Sequence, residues 1–123
     1  MMKRVVAAVD DLFFAAKIRT TGEQLGVLVE ITRDADALVA RAQQESPALV
    51  IVDLQAQRFD PFALAAAFKA DEALRGVPFV GFFAHVQAEL QQRARAAGYE
   101  QVMPRSAFTK RLPELLTGAG GED

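Results

Sequence analysis

Short apolar runs recur along the whole chain, separated by longer stretches of mixed polarity. Each run is too short for a helix of ordinary length, and its continuous apolar character predicts a strand that is buried on both faces. Five runs fit this description: Arg4–Val9, Val27–Ile31, Ala48–Leu54, Val77–Phe83 and Gln101–Met103.

Between these runs, apolar residues recur at the spacing of one helical face and predict helices. The first predicted helix covers residues 12–25. Either Asp34 or Asp36 can cap the second helix, because a short acidic side chain accepts hydrogen bonds from the first helical N–H groups. Asp60 followed by Pro61 is a strong start signal for the third.

The ends of the later helices are predicted from glycine and proline. Gly76 is expected to close the third segment, and Gly98 the fourth helix, which is predicted over residues 86–97. Proline is awkward inside a helix because it lacks the N–H donor. Pro113 therefore predicts that the fifth helix either begins near Thr109 or is kinked.

The alternation of five strands with five helices predicts an α/β fold. Because the strands are apolar throughout, helices must cover both faces of a parallel sheet. We expect a doubly wound five-stranded parallel sheet in the flavodoxin-like order 2-1-3-4-5. Residues 1–117 would form this single domain, and residues 118–123 a flexible C-terminal tail.

Composition narrows the functional classes. The 123 residues include no cysteine and one histidine, His85, which excludes disulfides, thiolate metal sites and multi-histidine metal sites. The net charge of −2 comes without a basic stripe, so nucleic acid is not an expected partner. No apolar run is long enough for a signal peptide or a membrane span, and a cytoplasmic location is expected.

Acidic residues follow two strands that the expected order makes neighbours. Asp10 and Asp11 come after the first strand and Asp53 after the third, at the switch point where such sheets bind ligands. Clustered carboxylates repel one another unless a hard cation such as Mg²⁺ offsets their charge. A carboxylate beside a metal can also attack phosphorus. The alternative is that Asp10 and Asp11 cap the first helix and Asp53 is a solvated strand end; the coincidence of all three favours a site.

With these residues in place, the chain resembles the receiver domains of two-component response regulators, of the chemotaxis-regulator type. The resemblance extends from Arg4 to about Leu116. It rests on four features: Val9-Asp10-Asp11, Ile51-Val52-Asp53-Leu54, Asp60, and Ala97-Gly98.

The resemblance implies that Asp53 accepts a phosphoryl group from a histidine kinase. It also implies a weak Mg²⁺ site, in which Asp11 and Asp53 bind directly, Asp10 binds mainly through water, and Gln55 contributes its backbone carbonyl. Helix four, strand five and helix five would then form the surface for a kinase or another signalling protein, or for a homodimer. On this surface the candidate contact residues are Arg93, Arg95 and Arg111.

The match weakens at the positions that sense phosphorylation. The strand-four hydroxyl of receivers is replaced by Phe83, or by Ala84 if the register slips by one. Arg105 and Ser106 replace the lysine–proline pair, and Arg105 is expected to contact phosphate in place of lysine. Val102 replaces the aromatic residue on strand five. These departures indicate a divergent receiver or pseudo-receiver with weakened switching. The start of the first helix, with three bulky residues in Leu12-Phe13-Phe14, also departs from the family.

Two functional hypotheses remain. The first is a stand-alone, non-enzymatic signalling module that acts through protein contact, since only a short tail follows Leu116. The second is a small Mg²⁺-dependent phosphohydrolase using the same aspartates, which is disfavoured because no insertion could form a lid over a substrate. A flavodoxin-like cofactor binder is a third reading, but no loop carries the glycine and hydroxyl residues that hold a phosphate.

Overall fold

All five predicted strands are present and form one parallel sheet. The computed structural model describes residues 4–85 and 87–118. The strand order is β2-β1-β3-β4-β5, as predicted. The strands are β1 (Arg4–Ala8), β2 (Leu28–Thr32), β3 (Leu49–Asp53), β4 (Phe79–Phe83) and β5 (Gln101–Pro104).

Helices connect the strands, and their capping residues explain several of their boundaries. Asp34, rather than Asp36, caps α2, and its carboxylate accepts a hydrogen bond from the N–H of Ala37 at 3.1 Å. Asp60 caps α3 in the same way, as predicted. The helices are α1 (Leu12–Leu25), α2 (Ala35–Gln44), α3 (Pro61–Ala70), α4 (Ala88–Ala97) and α5 (Arg105–Gly118).

The third and fourth helices are shorter than the sequence suggested. α3 ends at Ala70, not Gly76, because the carboxylate of Asp71 accepts a hydrogen bond from the N–H of Ala73 at 2.8 Å and starts a turn. α4 begins at Ala88. Val86, where the fourth helix was predicted to start, lies outside the described residues.

The fifth helix is longer than predicted. It begins at Arg105, so the expected start near Thr109 is wrong, and Pro113 lies inside it. Phe108 and Leu112 are completely buried on its inner face, whereas Pro113 is exposed. Leu115 and Leu116 are buried after the proline, so packing on both sides of it offsets the loss of one helical hydrogen bond. The helix includes Gly118, which was assigned to the tail, and residues 119–123 lie outside the described residues.

The core consists of two apolar layers, one on each face of the sheet. Side chains of a strand alternate between the faces, so Phe79 and Phe83 pack in one layer and Phe82 in the other. α2, α3 and α4 contribute to the first layer, and α1 and α5 to the second. The candidate residues lie at the carboxyl edge of the sheet between these layers, at or just after the ends of β1, β3 and β5. No helix in the described part of the chain is long and apolar enough to cross a membrane.

One arginine is buried at the amino end of the sheet. The side chain of Arg4 is 6% exposed, and its Nε lies 3.3 Å from an Oε of Glu30 on β2. Arg41 lies 3.6 Å from the same oxygen. Within residues 4–85 and 87–118, no nitrogen of the Arg4 guanidinium has a well-oriented hydrogen-bond acceptor. Glu30 is therefore the charge partner of a cation that is largely removed from water.

Candidate functional site at the carboxyl edge of the sheet

Asp53 is the last residue of β3 and is buried, with 7% of its surface exposed. It is therefore not a solvated strand end. Burial raises the pKa of the Asp53 carboxyl above its usual value. The hydrogen bond from the N–H of Gln55, 3.0 Å long, and the charge of Arg105 act in the opposite direction. Asp10 and Asp11 raise the same pKa further, which shows that the three carboxylates are electrostatic neighbours.

Asp10 connects two loops. Its Oδ2 accepts hydrogen bonds from the N–H groups of Gln57 at 2.8 Å and Arg58 at 3.3 Å. Its Oδ1 lies 3.9 Å from Nε of Arg58, a long ion pair on an exposed arginine side chain. Asp10 thus anchors the segment that follows β3 to the segment that follows β1, and it does not cap α1.

Asp11 does cap α1. Its Oδ1 accepts a hydrogen bond from the N–H of Phe14 at 3.1 Å. Its Oδ2 lies 3.6 Å from Nη1 of Arg105, the first residue of α5. The capping role that the sequence left open therefore belongs to Asp11, and the same carboxylate also pairs with an arginine.

Arg105 rests on aromatic rings. The guanidinium carbon lies 4.6 Å from the ring centroid of Phe14 and 5.8 Å from that of Phe82. These rings pack on each other, with centroids 4.8 Å apart, and both pack on Phe108. Of the three bulky residues noted at the start of α1, Phe14 therefore supports the arginine, whereas Leu12 and Phe13 are exposed.

Gln55 does more than the sequence indicated. Its side-chain oxygen accepts hydrogen bonds from the N–H groups of Ala84 at 2.8 Å and His85 at 3.3 Å. Its side-chain nitrogen donates to the carbonyl of His85 at 3.0 Å. The carboxamide therefore links the loops after β3 and β4, a role separate from the predicted backbone contact. No sequence motif indicates this role of the Gln55 side chain, because its partners are backbone groups about thirty positions away.

Most oxygens of the carboxylates in the predicted metal site are engaged by the chain's own donors. Among the described residues, no group of three or more Asp, Glu, His or Cys side chains is arranged to hold a metal ion. The chain's own donors engage Asp10 and Asp11, and Asp53 is buried against the backbone of Gln55. Oδ1 of Asp10 is buried and has no hydrogen-bond partner among the described residues, and the predicted Mg²⁺ site stays a prediction.

The positions expected to transmit a signal are apolar. Phe83 is the last residue of β4 and is 1% exposed, and Ala84 follows the strand and is exposed. Phe83 belongs to the first core layer, against which Val102 also packs. The side chain of His85 is exposed, and only its backbone takes part in the contacts of Gln55.

The candidate partner residues on the last two helices differ in their contacts. The guanidinium of Arg93 lies 4.1 Å from the ring centroid of Phe62 on α3. Arg111 pairs with Glu114 on its own helix at 3.6 Å. The side chain of Arg95 is exposed and has no ion pair with another described residue. Arg95 is therefore the most available of the three for a partner.

No family model matches the chain, and no curated protein matches it. Among solved structures, it is similar to the chemotaxis response regulator CheY4 of Vibrio cholerae, with 19% identity over 97% of this chain and 99% of that one and a TM-score of 0.83. The chain has the fold of a response-regulator receiver domain. It is also similar to two further response regulators: the phosphorylated cyanobacterial phytochrome regulator RcpA, with 19% identity over 96% and 91% of the two chains and a TM-score of 0.78, and the Mn²⁺-bound form of Rcp1, with 16% identity over 92% and 91% and a TM-score of 0.77.

The acidic residues on which the sequence resemblance rests lie at the carboxyl edge of the sheet. Asp53 ends the central strand of the sheet, between β1 and β4, and the acidic pair follows β1 beside it. These are the positions at which the sequence resembled receiver domains. At identities below one quarter, the likeness extends to the fold, and a function must be argued from the site.

Proposed function

We propose that the protein is a receiver-like signalling domain of a two-component or phosphorelay system, with Asp53 as its phosphoacceptor. The observation that carries the proposal is the position of Asp53, a buried carboxylate at the end of the central strand of a receiver fold. RcpA, a protein of the same fold, has been observed in a phosphorylated form. The domain would act by binding another protein rather than by turning over a substrate.

In the proposed step, a carboxylate oxygen of Asp53 attacks phosphorus, and the bond from phosphorus to the nitrogen of a kinase phosphohistidine breaks. The product is an acyl phosphate, which adds negative charge to an edge that already carries Asp10 and Asp11. Arg105 is the nearby positive group, and its charge already acts on the Asp53 carboxyl. We propose that it stabilises the transferred phosphoryl group in place of a lysine.

Phosphorylation would change the rest of the fold only slightly. A ligand shifts a conformational equilibrium only through contacts that differ between the two states. Phe83 has no hydroxyl that could follow a phosphoryl group, and Val102 has no aromatic ring that could follow it inward. One lost hydrogen bond of this kind removes about 1 kcal/mol of bias. This is the physical basis for a weakened switch.

The remaining expectations stay predictions. A histidine kinase or another signalling protein would bind the surface formed by α4, β5 and α5, through Arg95 in particular, and a homodimer would use the same surface. A cytoplasmic location suits these partners. Rcp1, which shares the fold, has been observed with Mn²⁺. Weak Mg²⁺ binding by Asp10, Asp11, Asp53 and the Gln55 carbonyl would require the carboxylates to exchange their present partners.

Incubation with a small phosphodonor such as acetyl phosphate and Mg²⁺, followed by intact-protein mass spectrometry, tests the proposal. The wild-type protein should acquire one phosphoryl group slowly, and Asp53→Asn should acquire none. Asp36→Asn, at an exposed aspartate on α2, is the matched control and should behave like wild type. Labelling of Asp53→Asn, or no labelling of wild type after prolonged incubation, would contradict the assignment. Repeated release of inorganic phosphate from the donor would favour the phosphohydrolase hypothesis.

A further inference from the structure

Two residues at the start of α1 contact the guanidinium of one arginine. Asp11 and Phe14 are three residues apart and are joined by the cap hydrogen bond of 3.1 Å. The carboxylate of Asp11 faces Nη1 of Arg105 at 3.6 Å, and the ring of Phe14 lies 4.6 Å from the guanidinium carbon. An ion pair and a cation–π contact therefore hold the same guanidinium from two sides.

Neighbouring rings restrict this guanidinium further, while the Arg105 side chain as a whole is 36% exposed. The ring centroid of Phe82, on β4, lies 5.8 Å from the guanidinium carbon of Arg105. Phe108, on α5, packs against the rings of both Phe14 and Phe82. Nε of Arg105 is buried and has no hydrogen-bond acceptor among the residues that the structure describes. Contact with these aromatic rings, rather than a network of hydrogen bonds, thus determines the position of the Arg105 guanidinium.

From this position the guanidinium acts on the acidic edge, defined here as Asp10, Asp11 and Asp53. It pairs directly with Asp11, and its charge also acts on the carboxyl of Asp53. A fixed positive charge beside two carboxylates reduces their attraction for a second cation. Mg²⁺ is especially sensitive to this, because it gives up water reluctantly and requires near-ideal octahedral geometry.

We propose that Arg105 is the built-in counter-ion of the acidic edge, and that a divalent cation binds there only when the guanidinium leaves Asp11. Phe14 is the positioning residue that keeps the guanidinium in place. This accounts for the absence of a metal-holding group among the described residues and for the aromatic ring of Phe14 near the start of α1. The inference rests on the geometry of Asp11, Phe14 and Arg105, so it does not depend on phosphorylation of Asp53.

Mg²⁺ titrations without any phosphodonor, followed by amide chemical shifts, compare wild type with Arg105→Met. Methionine removes the charge but retains an apolar chain over the rings. We expect Arg105→Met to bind Mg²⁺ roughly tenfold more tightly than wild type, because a nearby positive charge is gone. Arg111→Met, on the exposed side of the same helix, is the control and should match wild type. Phe14→Leu keeps the charge of Arg105 but removes the aromatic ring beneath it. Its Mg²⁺ affinity should lie between those of wild type and Arg105→Met.

A second measurement on the unmodified protein does not depend on how the variants fold. The side-chain Nε–H resonance of Arg105 should shift with the same midpoint as Mg²⁺ binding, because binding displaces the guanidinium. Equal or weaker Mg²⁺ affinity in folded Arg105→Met would overturn the proposal. So would Mg²⁺ saturation of wild type with that resonance unmoved, or no binding to either protein. None of these results bears on whether Asp53 accepts a phosphoryl group, which the mass assay decides.

Discussion

Replacing Glu30 with glutamine should lower the free energy of unfolding by about 2–3 kcal/mol. Glu30 is the charge partner of Arg4, whose side chain is 6% exposed. Removing one member of a buried ion pair leaves the other charge uncompensated in a medium of low dielectric constant, and this costs more than the pair contributed. The expected loss of stability is smaller than for a fully buried ion pair, because the side chain of Glu30 is 33% exposed. Urea unfolding at neutral pH gives the measurement.

Two further variants separate this effect from a general loss of side-chain contacts. Glu45→Gln removes the exposed partner of Arg41 one helical turn away and should cost no more than about 0.5 kcal/mol. Arg4→Met combined with Glu30→Gln should recover most of the stability lost in the single variant, because the unpaired buried cation is gone. Equal losses for Glu30→Gln and Glu45→Gln, or no recovery in the double variant, would show that Arg4 is adequately solvated without Glu30.

Replacing Gln55 with alanine should accelerate hydrogen exchange at the amides of Ala84 and His85 by roughly 30-fold. In the structure both N–H groups donate to the Gln55 side-chain oxygen, and the carbonyl of His85 accepts from its nitrogen. Alanine removes all three hydrogen bonds while leaving the backbone of β3 unchanged. The loop after β4 would then open locally without unfolding of the sheet.

Gln57→Ala is the matched control for this variant. Gln57 lies two positions further along the same loop and uses its backbone N–H, not its side chain, to bind Asp10. Its replacement should leave exchange at Ala84 and His85 within a factor of about two of wild type. If both variants accelerated exchange equally, the effect would come from loosening the loop as a whole and not from the Gln55 carboxamide.

The strand order and the position of Asp53 follow from local patterns in the sequence. Short apolar runs separated by helical spacing fix the number of strands, and their apolar character requires helices on both faces. The acidic residues come immediately after β1 and β3, so the order of the strands is enough to bring them together. The helix starts at Asp34 and Asp60 follow from the capping chemistry of a single side chain.

The features that sequence reasoning missed depend on contacts between distant residues. α5 begins at Arg105 because Phe108 and Leu112 pack against the sheet, and this outweighs the local preference of Pro113. The side chain of Gln55 finds its partners on another loop, and nothing in its neighbourhood along the chain indicates them. Arg105 was assigned to phosphate from its position after β5 and its charge, and nothing in the sequence indicated its contact with the ring of Phe14, about ninety positions earlier.

The measurement that tests the central claim most directly is the response of the backbone amides to a beryllofluoride-type mimic of the phosphoryl group. With Phe83 and Val102 at the switching positions, we expect chemical-shift changes confined to the neighbours of Asp53, chiefly Gln55 and Ala84. Asp53→Asn should show no changes. A large cooperative change across residues 82–106 that reaches Val102 and α5 would contradict this expectation. It would show that the domain switches fully in response to the phosphoryl mimic.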